Sequence, residues 1–182
     1  MSRLRIGSVL LLTVAGASTT AEPITVAEQD SRSPIGQAEA LFATGEFIDA
    51  CRILVRHAKQ GNASAWALIG RCYEEGKGLP QNLTEAFKWY RESALNGDTE
   101  AENKVGEMLL AGRGTVINLP GAAVLFERAA KKGHPDAQFH LGTLYQNGTG
   151  VKPDPTAAFE LFAASAESGN VEAQYALAKA YD

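Results

Sequence analysis

The chain has 182 residues, with 17 Lys and Arg against 21 Asp and Glu and a formal net charge of −4. Duplex-binding surfaces are basic because they displace counterions from phosphates, so nucleic acid is excluded as the expected partner. A hydrophobic share of 45% and a charged share of 21% suit a chain that buries a core. At roughly 100–200 residues per domain, the length fits one compact domain or one short repeat array. Two cysteines are too few for a disulfide-dense miniprotein or a four-thiolate zinc site.

In chain order, Arg3 and Arg5 precede the apolar run Ile6 to Ala15, and Thr19-Thr20-Ala21 offers a small-x-small cleavage pattern. Residues 1–21 therefore read as a secretory signal peptide, which places the mature chain in a bacterial periplasm or outside the cell. The run is too short to cross a bilayer as a helix, which takes about 20 residues, so no integral membrane span is expected. Residues 22–33 are polar, lack helical periodicity and read as a flexible tether.

Beyond them the chain repeats itself every 36 residues. Gly61, Gly97, Gly133 and Gly169 begin the units 61–96, 97–132, 133–168 and the partial 169–182. Each is followed by Ala65, Ala101, Ala137 or Ala173, then by Ile69, Val105, Leu141 or Leu177, then by Gly70, Gly106, Gly142 or Ala178. Tyr73, Leu109, Tyr145 and Tyr181 complete the set. These apolar positions follow the 3.6-residue period of one helical face.

The first helix of each unit should stop at Gly76-x-Gly78, Gly112-x-Gly114 or Gly148-x-Gly150, where glycine takes a left-handed cap without a Cβ penalty. The second should start near Asn82, Asn118 or Asp154, with Glu85 completing a capping box after Asn82 and Pro155 in the first helical position after Asp154. Its inner face repeats as Ala86, Tyr90, Ala94, then Ala122, Phe126, Ala130, then Ala158, Phe162, Ala166. Pro120-Gly121 is expected to weaken the start of the second helix in unit 97–132. Residues 34–60 match only the second half of the pattern, through Ala50, Ile53, Leu54 and Ala58, and read as a degenerate hairpin of tetratricopeptide type. The expected fold is all-α: nine helices in a right-handed α-α superhelix, each hairpin touching its neighbours.

The string Ala137-Gln138-x-x-Leu141-Gly142-x-Leu144-Tyr145-x-x-Gly148-x-Gly150-Val151, followed by Ala158-x-x-Leu161-Phe162 and Ala166-x-x-x-Gly169, resembles the Sel1-like repeat family. The resemblance covers residues 61–182 strongly and 34–60 weakly. It implies tetratricopeptide-like hairpins with a lengthened loop, and an exported scaffold that binds another protein or peptide in envelope assembly or periplasmic signalling. Cysteine-rich members credited with binding or hydrolysing β-lactams imply the alternative, a cell-wall-linked penicillin-binding protein or β-lactamase-like hydrolase. Unit 97–132 departs from the pattern, with Glu102 and Asn103 where the next has Gln138 and Phe139.

No catalytic, cofactor or metal site is assigned. The Gly-x-Gly pairs follow helices and not strands, unlike phosphate loops. His57, His134 and His140 lack neighbouring ligands, and His134 falls in the N-cap slot before Pro135. S-x-x-K, G-x-S-x-G and H-E-x-x-H arrangements are missing from the sequence. Glu100, Asp136 and Glu172 recur in first turns, where negative charge suits the helix dipole. Asn62, Asn82 and Asn147 head glycosylation sequons but read as cap and loop residues, and Trp66 and Trp89 as core.

By analogy with tetratricopeptide arrays, the inner groove takes first-helix residues. These are Arg71 and Glu74, Asn103 and Glu107, Phe139, Thr143 and Gln146, then Tyr175 and Lys179, with Phe139 and Tyr175 as exposed aromatic anchors. Finally, Cys51 and Cys72 are equidistant from the turn at Gly61-Asn62, so antiparallel helices bring them face to face. A disulfide is expected between them in an oxidising compartment.

Overall fold

The structure, a computed structural model, describes residues 33–181. Residues 1–21, read above as a signal peptide, and 22–32, read as tether, lie outside the described residues; Ser33, read as the last tether residue, is the N-cap of the first helix. Nine α-helices follow among the described residues, with no strand: α1 (Pro34–Thr44), α2 (Phe47–Lys59), α3 (Trp66–Glu75), α4 (Leu83–Leu95), α5 (Thr99–Ala111), α6 (Leu119–Lys131), α7 (Pro135–Asn147), α8 (Pro155–Glu167) and α9 (Val171–Tyr181). One 3₁₀ turn, Ala63–Ala65, leads into α3. Packing is concentrated between consecutive helices, the signature of a helical repeat solenoid.

Local chemistry sets the helix ends. Asn82, Asn118 and Asp154 each accept a hydrogen bond from the backbone N–H three residues on, at 3.1, 3.0 and 3.0 Å, supplying one of the orphan donors of the first turn. The capping box forms only by half. The Asn82 N–H donates to the Tyr73 carbonyl at 2.9 Å, closing the hairpin, so Glu85 turns away and pairs with Lys88. The same closure joins Asn118 to Leu109 and Asp154 to Tyr145.

Nor do Pro120 and Gly121 weaken α6. It runs 13 residues, as α4 and α8 do, because a first-turn proline gives up an N–H that has no intrahelical partner, and Gly121 donates its own to Asn118.

Each of the hairpins α3–α4, α5–α6 and α7–α8 closes around one ring. Tyr90, Phe126 and Phe162 lie flat against Gly70, Gly106 and Gly142 of the preceding helix, so close that a Cβ there would meet ring carbons at 2.8, 2.6 and 2.8 Å. The paired glycines of the loops divide their labour. Gly76, Gly112 and Gly148 end their helices in the left-handed conformation, with φ of 70°, 68° and 67°. Gly78, Gly114 and Gly150 instead press onto the first residue of the second helix one unit earlier, Phe47, Leu83 and Leu119, leaving no room for a side chain. Three apolar clusters follow one another along the array, around Leu54 and Ile69, around Tyr90 and Met108, and around Phe126 and Leu141. Trp66 and Trp89 are partly buried against the first. A disulfide joins Cys51 of α2 to Cys72 of α3 across a Cα separation of 6.6 Å.

Candidate functional site

The first helices of successive units, α3, α5, α7 and α9, carry the groove residues, and the structure divides these into two groups. Phe139, Thr143 and Gln146 of α7 and Tyr175 and Lys179 of α9 line one cleft of about 730 Å³. Phe162 of α8 and Val171, Glu172 and Ala176 of α9 complete its wall. The Phe139 ring packs 5.7 Å from Phe162 and 5.8 Å from His140, so it is a half-buried wall and not an exposed anchor. Tyr175 is open, 73% exposed, and Val171 beside it is 70% exposed. An aromatic wall, an open tyrosine and a few polar rim groups are the composition of a recognition pocket.

The other four groove residues turn to their neighbours. Arg71 lies over the Phe42 ring at 5.2 Å. Glu74 pairs with Arg113 at 3.0 Å and accepts the Tyr90 hydroxyl at 2.9 Å; burial, and then that carboxylate, push the Tyr90 phenol well above its ordinary range.

Asn103 is a correction to the groove reading, since it is buried, 1% exposed. Its short side chain cannot reach out as Phe139 does from the matching position, and its amide donates to Glu107 at 2.8 Å. Glu107 also meets Lys104 at 3.1 Å and His140 at 3.5 Å. Burial alone would raise the Glu107 carboxyl, but the hydrogen bond from His140 and the Lys104 charge outweigh it and hold the group at about 2. The Lys104 ammonium is raised in turn: Glu107 overcomes the opposing effect of burial.

The departure at residue 102 marks a buried carboxylate. Glu102 is wholly enclosed and pairs with Arg128 at 2.6 Å and Lys132 at 2.9 Å, linking α5 to the end of α6. Along the turn edge, the recurrent acids do more than face a helix dipole. Glu100 lies 3.0 Å from His134 Nε2, and Asp136 accepts from Asn170 at 2.7 Å. In both, the N-cap side chain of one unit meets the first-turn acid of the unit before. His134 Nδ1 meanwhile accepts from the Ala137 N–H, as its N-cap position requires.

Sequence reasoning missed Phe162, Val171, Glu172 and Ala176 as cleft residues. Phe162 was assigned wholly to the hairpin interior, yet its outer edge floors the cleft; offset counting selected one stripe of α9 and passed over the adjacent one.

Hairpins stacked in one row, with a pocket on their first-helix side, define a helical repeat protein of the solenoid class. The Sel1 repeat family model matches residues 63–98, 99–134, 135–170 and 171–182, and the chain belongs to the Sel1 repeat family, which generally mediates protein–protein interaction. No curated protein matches the chain.

Among solved structures, c5321, a protective antigen present in uropathogenic Escherichia coli strains and displaying an SLR fold, is 32% identical with a TM-score of 0.76, over 86% of this chain and 34% of its own. The chain thus spans about a third of that protein. A Sel1 repeat protein from Oxalobacter formigenes is 37% identical with a TM-score of 0.63, over 69% of this chain and 95% of its own. Cysteine rich protein B of Helicobacter pylori, 17% identical with a TM-score of 0.50 over 82% of this chain and 95% of its own, shares the fold alone and lends nothing to the hydrolase alternative. No helix among the described residues is long and apolar enough to cross a membrane.

Proposed function

We propose that the chain is an exported scaffold whose α7–α9 cleft holds a peptide segment of a protein partner by a large apolar side chain. The observation that carries this reading is the cleft itself, about 730 Å³ with Phe139 and Phe162 as wall and floor and Tyr175 exposed at its mouth. A ring already ordered by its neighbours gives contact area at little entropic cost. Gln146 and Lys179 at the rim supply polar contacts that fix orientation without dominating the energy. Selection from a displayed random-peptide library on the full chain should enrich sequences with aromatic or long aliphatic residues. Tyr175→Ala should weaken the selected peptides at least tenfold, about 1.4 kcal/mol, while leaving the helical circular dichroism signal in place. Selected peptides that bind Tyr175→Ala and Val171→Ala as well as the parent would refute the cleft.

Export rests on the Arg3 and Arg5 pattern ahead of Ile6 to Ala15. N-terminal sequencing of the fractionated protein should find the chain beginning after Ala21, in the periplasm or the medium; an intact Met1 on cytosolic material would refute it.

A further inference from the structure

A joint between repeats is normally held by large side chains. In this array the joint between α4 and α5 holds Phe87 and the buried Met108, and the corresponding positions of the joint between α6 and α7 hold Ala123 and Leu144. The corresponding positions between α2 and α3 hold Cys51 and Cys72, joined as a disulfide. α2 packs on α3 and on the Ala63–Ala65 turn that leads into it. A covalent bond therefore stands where those two joints have a large apolar side chain. Opened, it leaves two small thiols, and the leading hairpin is then held to the array by the Leu54–Ile69 cluster and the Gly78–Phe47 contact without the covalent bond.

The bond is enclosed, with Cys51 and Cys72 exposed by no more than 1%, but not sealed. A cavity of about 240 Å³ reaches Cys72 between Phe42, Phe47, Arg71, Glu75 and Lys77. Lys77 pairs with Glu75 at 2.8 Å, whereas Arg71 forms no ion pair among the described residues and stacks on Phe42. The cavity thus carries net positive charge beside the sulfur.

We propose that the Cys51–Cys72 disulfide is a redox latch, which small anionic thiols reach through the Arg71 cavity and whose reduction releases α1 and α2 while α3 to α9 stay folded. A thiolate RS⁻ attacks Cys72 Sγ, forming a mixed disulfide as the Cys51–Cys72 bond breaks and its electron pair passes to Cys51 Sγ. Cys51 takes up a proton, and its Sγ lies 3.2 Å from the Lys77 carbonyl oxygen, a ready acceptor for the new S–H. A second thiolate attacks the mixed disulfide at the sulfur of R, releasing RSSR and the Cys72 thiolate, so that two thiols are oxidised for one protein disulfide reduced.

The test uses the oxidised full chain with two small thiols, anionic 2-mercaptoethanesulfonate and cationic cysteamine, each rate divided by the rate on a linear disulfide peptide. The anionic thiol should be several-fold faster, and the preference should vanish in Arg71→Gln/Lys77→Gln. After reduction, limited proteolysis should open sites within residues 34–60 and spare the chain from residue 61 onward, and Cys51→Ser/Cys72→Ser should show that pattern without any reductant. Equal or reversed rates would overturn the proposal. So would a hairpin that stays protected once reduced, loss of the whole array on reduction, or two free thiols in the protein before reductant is added.

Discussion

Gly106→Ala sets two effects of opposite sign against each other at one buried position. In mid-helix, alanine is favoured over glycine by roughly 1 kcal/mol, because it loses less backbone freedom on folding. Against this, the new Cβ would stand 2.6, 2.9 and 3.0 Å from three carbons of the Phe126 ring, where comfortable contact is about 3.5–4.0 Å. The ring is wholly buried, so it cannot swing into solvent and α6 must move away from α5. Overpacking of this kind costs roughly 1–3 kcal/mol. The net expectation is a loss on the order of 1 kcal/mol, a drop of roughly 2–4 °C in midpoint for a chain of this size. Thermal unfolding followed by circular dichroism measures it. In a Phe126→Leu background, where the ring is absent, the same substitution should be neutral or stabilising. A midpoint equal to or above the parent in the Phe126 background would show that the hairpin has slack, and the argument would fail.

Glu107 gives a pH signature: its folded carboxyl is held at about 2 against an ordinary 4.5, so its contribution is fully present above pH 4.5 and is lost as pH falls through 2. At about 1.4 kcal/mol per tenfold change, reduced for its partial exposure, this is on the order of 2 kcal/mol; urea unfolding across that window should show Glu107→Gln with a flatter acid limb, and a parallel limb would refute the assignment. Glu102→Gln keeps the volume but removes the charge facing Arg128 and Lys132, and should cost roughly 1–3 kcal/mol by the same assay; a neutral outcome would mean the pair merely balances its own desolvation. Tyr90→Phe deletes one hydroxyl donor to Glu74 and should cost about 1 kcal/mol, while an unchanged urea midpoint would show that Arg113 alone satisfies that carboxylate.

The helices were legible because each unit repeats the same few residues at the same offsets: one Ala, one large aliphatic, one Gly and one ring fix a helix face wherever they recur. The caps were legible for a similar reason, since Asn82, Asn118 and Asp154 act within three residues of themselves. The cleft was legible in its last two units, where Phe139 is large enough to line its wall and Tyr175 to stand at its mouth. It was misread at Asn103 because a helical offset says which side a residue faces and not how far its side chain extends. Glu102 looked like a loss of regularity, and its two cations lie 26 and 30 residues away, beyond any local pattern. The second glycine of each loop was read with the first as a helix stop, because its contact belongs to the preceding unit.

That second glycine governs how the array can change. Gly114 meets Leu83 and Gly150 meets Leu119 chiefly through backbone atoms, near enough to exclude any side chain, so beside the apolar clusters at the joints a main-chain contact also helps to set the spacing between units. Neighbouring units are then free to diverge, as Glu102-Asn103 and Gln138-Phe139 have, without altering the pitch they share. Excising residues 97–132 would set the loop of Gly150 against Leu83 and remake the same hinge pin. The protein is in this sense a ruler with interchangeable segments, whose graduations are cut in the backbone.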